Sequence, residues 1–169
     1  MRAFNFFVLF FLSACSNFNE VKKISTYYNI DSLLSSQIII LPNSNNLKKE
    51  VMWNSISENS NFSPLNFDWK KELNVFNQID INQPSNKIAY EISSKNNVIE
   101  YKKLVDEEGI ISILITFDIN DKPKSIIAYG IKENFLFNSY RNYKLSFDSI
   151  GNLTNYIFED KQIRIFNDT

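Results

Sequence analysis

The sequence predicts an α+β domain: two N-terminal helices packed on a curved antiparallel meander of about six to seven strands. Three observations predict it. Apolar residues recur at helical spacing between Thr26 and Leu41, and again from Trp69 to Phe76. From Lys87 onward, short apolar runs alternate with turn signals, which is how antiparallel strands joined by tight turns are written. Helices come first and strands afterwards, so parallel crossover units are not expected.

In the first helical segment Tyr27, Ile30, Leu34, Ile38 and Leu41 form a stripe, widened by Tyr28, Leu33, Ile39 and Ile40. Pro42 and the run Asn43-Ser44-Asn45-Asn46 end it. The β-branched stretch Gln37–Leu41 also suits a buried strand, and the length of the stripe favours helix. A strand is expected within Leu47–Ser57, then a loop at Asn59-Ser60-Asn61. Asp68 is a candidate N-cap for the second helix, in which Trp69, Leu73 and Phe76 share one face. Pro84 forbids its continuation.

The expected strands are Ile88–Ile92, Val98–Val105, Ile110–Phe117, Ser125–Ile131, Tyr140–Phe147, Leu153–Phe158 and Gln162–Phe166. Phe117-Asp118 and Phe147-Asp148 each end a strand. The second continues as Ser149-Ile150-Gly151-Asn152-Leu153, a hairpin corner in which Asp and Gly supply the turn chemistry. Such corners are structural, since a calcium loop would need oxygen ligands at several alternate positions.

Composition excludes much chemistry. The 169 residues, enough for one domain, contain no histidine, so triads, Cys–His dyads and His-bearing zinc sites are impossible. Only Gly109, Gly130 and Gly151 are glycine, too sparse for a phosphate-cradling loop. A net charge of −1 gives no electrostatic footprint for nucleic acid.

At the N-terminus, Met1-Arg2 precedes the apolar run Phe6–Leu12 and then Ser13-Ala14-Cys15, as in a secretory signal peptide. The run is shorter than the roughly 20 residues that span a bilayer. Leu12-Ser13-Ala14-Cys15 resembles the lipobox of bacterial lipoproteins. The resemblance implies cleavage before Cys15, a lipid on its thiol and acylation of the new amino group. Cys15 is the only cysteine and has no disulfide partner. The division expected is a signal peptide over 1–14, a lipidated Cys15 and tether over 15–25, and one domain over 26–169. The flexible residues of the tether reach roughly 17 Å on average. The lipoprotein resemblance, with Ser16 after the cysteine and no acidic run following it, implies an outer-membrane anchor facing the periplasm.

Asp68-Trp69-Lys70-Lys71-Glu72-Leu73, Phe76, Asp80-Ile81-Asn82-Gln83-Pro84 and Tyr90 together resemble a pattern of uncharacterised Bacteroidota lipoproteins, a D-W-x-K-E-L helix leading into D-I-N-x-P. Gln83 departs from the Lys more common there. The resemblance implies an extracytoplasmic α+β lipoprotein and supplies no activity.

Asp68, Glu72 and Asp80 could form an acid–base cluster. Their positions suit an N-cap, a solvent-facing helix charge and a turn residue better. Lys70, Lys71, Lys102 and Lys103 read as solvated, and Trp69 and Phe76 as core. No catalytic, cofactor-binding or metal-ligating residue is singled out, and no cofactor is expected. The leading expectation is a non-enzymatic envelope lipoprotein that binds a protein partner or acts in envelope assembly, held to the membrane through Cys15. A carrier holding a lipid or acyl chain in an apolar cleft is the alternative, and a carboxylate-only glycosidase the third.

Overall fold

The computed structural model describes residues 26–43, 49–53, 56–60, 64–105 and 108–165. Cys15 and the segments expected as signal peptide and tether lie outside the described residues. The architecture is α+β, with a six-stranded antiparallel meander in sequential order and helical segments on one face. The helices do not form an N-terminal pair as expected. Helix α1 (Ile30–Ile40) and its 3-10 extension Leu41–Asn43 are separated from α2 (Trp69–Leu73) by an antiparallel hairpin, β1 (Lys49–Trp53) with β2 (Ile56–Ser60). That hairpin replaces the single strand expected before Ser57, and its second strand runs through Asn59-Ser60, where a loop was expected.

Asn29 caps α1, its Oδ1 accepting from Ser32 N at 2.8 Å. Asp68 caps α2 as its position predicts, accepting from Lys71 N at 3.0 Å. After one turn α2 tightens into a 3-10 segment, Asn74–Ile79. Trp69, Leu73 and Phe76 still face inward together, at 2%, 1% and 0% exposure. The second helical segment ends at Ile79, before Pro84 is reached, and a further 3-10 turn over Pro84–Asn86 begins at that proline.

The meander comprises β3 (Tyr90–Lys95), β4 (Val98–Lys103), β5 (Gly109–Phe117), β6 (Pro123–Glu133), β7 (Phe137–Phe147) and β8 (Leu153–Arg164). The two strands expected over Leu153–Phe158 and Gln162–Phe166 are one: β8 runs through Glu159-Asp160-Lys161 without a turn. Those charges end no strand because β7 is long enough to pair with them continuously. Pairing registers stack two apolar rows under the helices. One is Tyr101, Ile113, Ala128 and Tyr143, continued in register by the exposed Phe158; the other is Ile99, Ile115, Ile126, Leu145 and Tyr156. Phe76 stands edge-on between them, its ring 6.1 Å from Tyr143 and 6.0 Å from Tyr156. On the opposite face Leu114, Ile127 and Ile157 are exposed, with Lys144 among them.

The two Asp corners are closed by the same bonds. Asp118 Oδ1 accepts from Asn120 N and Lys122 N at 2.8 and 2.9 Å; Asp148 Oδ1 accepts from Ile150 N and Asn152 N at 3.0 and 2.8 Å. The Lys122 backbone N–H, foremost, holds the Asp118 carboxyl below its usual range. The left-handed residue is Gly151 in one corner (φ 91°) and Asp121 in the other (φ 59°).

Two side-chain amides fasten α1. At its N-terminal approach, Asn82 Oδ1 accepts from Tyr27 N at 2.8 Å and its Nδ2 donates to Tyr28 O at 3.1 Å. Farther along, buried Gln37 Oε1 accepts from Leu153 N at 2.7 Å, and Nε2 donates to Gly151 O at 3.1 Å. Gln37→Met keeps the volume and strands two backbone groups. A buried group left unpaired costs about 1–3 kcal/mol. Stability should fall by about that amount or more, read as a lower denaturation midpoint at unchanged slope; an unchanged midpoint would refute the role.

Burial raises several tyrosine hydroxyls. Tyr90 is pushed up to about 12 by desolvation and then by Tyr27, and donates to Ile110 O at 2.6 Å. Tyr156 is raised by burial and by its 2.9 Å hydrogen bond to Glu72 Oε1. A folded pKa above the unfolded value favours the neutral form. Its contribution is complete below pH 10.0, the ordinary tyrosine value, and is lost as pH rises through about 12. The denaturation midpoint should therefore decline above pH 10, with tyrosinate absorbance rising as the protein unfolds. A midpoint flat across that range would contradict the assignment.

Candidate functional site

Along β7 the side chains of Phe147, Leu145, Tyr143, Arg141 and Ser139 alternate onto the helix-covered face, passing from apolar to polar. Where β7 emerges from under the 3-10 segment Asn74–Ile79, a hydrogen-bonded network forms. Gln78 Oε1 accepts from Arg141 Nη1 at 2.9 Å and from Tyr143 OH at 3.1 Å. Arg141 Nε donates to Asp160 Oδ2 at 3.3 Å and to Ser139 Oγ at 3.2 Å, and the Ser139 hydroxyl donates to Asp160 Oδ1. Asp160 is the cross-strand partner of Arg141 on β8. With both side chains about one-fifth exposed (20% and 22%), this ion pair is partly sheltered from solvent.

Beside the network lies a recess of about 280 Å³. Gly109, Ile110, Gly130 and Ile131 contribute to its lining along with Gln78, Arg141 and Tyr143, while Glu108 and Lys132 add charge of both signs. Two of the chain's three glycines thus border it. Gly130 lies opposite Arg141 in the β6–β7 register, so no side chain fills the row between Ile110 and the guanidinium.

This arrangement presents donors and acceptors with balanced charge. Ser139 is fully buried at 0% exposure, so its hydroxyl cannot meet a substrate, and the Asp160 carboxylate is engaged by Arg141 and Ser139. Recognition of polar groups fits these residues better than proton transfer does. Among the described residues no group of three or more metal-ligating side chains converges, and no helix is long and apolar enough to cross a membrane.

The three carboxylates considered from sequence make separate bonds, and Glu72, expected as a solvent-facing helix charge, is half-buried against the sheet. Asp68 caps α2, Glu72 accepts from Tyr156, and Asp80 Oδ1 accepts from the backbone and side-chain amides of Asn82 at 3.2 and 3.0 Å. Asp80 thereby aims Asn82 at the Tyr27–Tyr28 backbone, which gives the D-I-N-x-P segment a structural role. Lys70, Lys71 and Lys102 are exposed, whereas Lys103 is half-buried and donates to Glu108 O at 2.7 Å. Trp69 is buried with its Nε1 donating to Pro64 O at 2.9 Å. Sequence reasoning missed Gln78, Ser139 and Arg141, and read Asp160 as part of a turn. The signal was the alternation Ser139-x-Arg141-x-Tyr143, three polar-capable side chains on one face of a strand otherwise aimed at the core.

Compared with protein-family models, curated proteins and solved structures, the chain matches none of them.

A Cβ on Gly130 would sit 3.1 Å from Gly109 O and 3.1 Å from Ile110 Cδ1. Overpacking of this kind costs about 1–3 kcal/mol. Gly130→Ala should lower the thermal midpoint while Lys132→Ala, at an exposed position on the rim, leaves it unchanged. Equal midpoints for both variants would show that the β5–β6 spacing at the recess is not fixed by this contact.

Proposed function

We propose that the chain is a non-enzymatic, lipid-anchored envelope protein that binds a protein partner, with acylated Cys15 holding it to the membrane and residues 16–25 as a tether. In this reading the helices sit on a curved sheet, the anchor is in the outer membrane, and the domain faces the periplasm. The observation that carries partner binding over lipid carriage is how the interior is filled. Phe76, Ile79, Ile113, Ile115, Ile126 and Leu145 all have 0% exposure between sheet and helices, while the recess is edged by Arg141, Glu108 and Lys132. An acyl chain needs an apolar cleft, whereas mixed charge around a shallow recess suits a polar protein surface.

Two measurements test this. Radiolabelled palmitate should enter the chain in a bacterial host and be lost in Cys15→Ser; equal labelling of the variant removes the anchor. For residues 16–169, expressed without Cys15, native mass spectrometry should give the mass of the polypeptide alone, with no bound lipid. A photo-crosslinker at Lys132 should capture an envelope protein, with capture reduced by Glu108→Lys. A co-purifying phospholipid or acyl mass would favour the carrier instead.

A further inference from the structure

Strand β8 is an edge of the sheet, 12 residues long, and its free side has no neighbour among the described residues. Its backbone polarity can be assigned. Ile165 N donates to Leu136 O at 3.0 Å, and the β7–β8 register runs unbroken from Arg164 back to Asn155. Odd-numbered residues in this stretch therefore direct N–H and C=O toward β7. Tyr156, Phe158, Asp160, Gln162 and Arg164 direct theirs outward.

On the sheet face away from the helices, β8 presents Ile157, Glu159, Lys161 and Ile163 in order. All four are exposed, the isoleucines at 41% and 48%. This order is self-complementary about Asp160. We propose that β8 pairs antiparallel with β8 of a second copy of this chain, on a two-fold axis through Asp160, joining two six-stranded sheets into one. Glu159 then faces Lys161 of the second copy and Ile157 faces its Ile163, each contact occurring twice. These are the non-hydrogen-bonded pairs, in which opposing side chains come closest. The outward backbone groups of Asp160, and of Phe158 with Gln162, form the hydrogen-bonded pairs between them.

Neighbouring registers fail. Moving the axis to residue 159 sets Glu159 against itself, and moving it to 161 sets Lys161 against itself. An axis at 158 or 162 places each charge opposite an isoleucine or outside the pattern. At the chosen axis the two Asp160 side chains adjoin on the helix side, where each is already paired with its own Arg141 at 3.3 Å. Charges on an edge strand commonly prevent pairing. Here both signs stand at equal distances from one centre, which makes the same charges attractive between copies.

The test is size-exclusion chromatography with light scattering on the full chain in a mild non-ionic detergent, comparing wild type, Glu159→Lys, Lys161→Glu and the double exchange. Wild type should be a dimer. Either single reversal sets like charges face to face twice per dimer and should weaken association by about tenfold or more. The double exchange restores both pairs and should recover the dimer, which neither misfolding nor altered net charge would produce. A monomeric wild type, unaffected single variants, or a double exchange that stays monomeric would each overturn the proposal. The result is independent of whether the recess binds a partner.

Discussion

The structure depends on side-chain amides acting as substitute backbone. Helix α1 has 11 residues, below the length at which an isolated helix is stable in water. It lies on a sheet whose own hydrogen bonds run entirely between strands. Gln37 joins these parts, and Asn82, in the loop after the 3-10 segment Asn74–Ile79, ties the approach to α1 to the second helical segment; each offers one acceptor and one donor in the arrangement a neighbouring peptide group would use. Gln37 bonds at the β7–β8 corner, where the register shifts between Ser146 and Phe147. One buried glutamine thus orders the helix and satisfies an irregular turn, leaving neither amide atom unpaired.

The sheet can be built with few glycines because its corners use aspartate. In the Asp118 and Asp148 turns the carboxylate collects backbone N–H groups, and in the β6–β7 turn Asn134 Oδ1 does the same for Leu136 and Phe137. Only one of these corners places glycine at its left-handed position. Gly130 serves a different need, close approach of the β5 backbone, and so remains available to shape the recess.

Much of the fold was legible from periodicity. The stripe through Ile30 and Leu34, the Asp68 cap, the buried Trp69-Leu73-Phe76 face and the meander all follow from local pattern and turn chemistry. Less legible was whatever depends on a distant partner. Glu159-Asp160-Lys161 reads as a turn until β7 is known to extend beside it, and nothing local to Gln37 points to the corner it grips. The recess was hidden for the same reason. Gln78, Arg141 and Asp160 are 63 and 19 residues apart along the chain, and no local motif links them.

The network also has a consequence for the edge strand. Register in a sheet is specified by burial, because a slip of one residue exchanges the faces. Beyond Tyr156 the helices no longer cover β8 and its residues are exposed, so burial alone specifies little there. The Arg141–Asp160 pair and the Ser139–Asp160 bond supply the missing constraint: a slip would carry Asp160 to the opposite face and leave Ser139 and Arg141 without their acceptor. The exposed end of β8 is therefore held in one register by polar contacts on one face, while the other face keeps Ile157, Glu159, Lys161 and Ile163 at fixed spacing. That division keeps the far face of β8 geometrically defined, which is what pairing with a second copy about Asp160 requires.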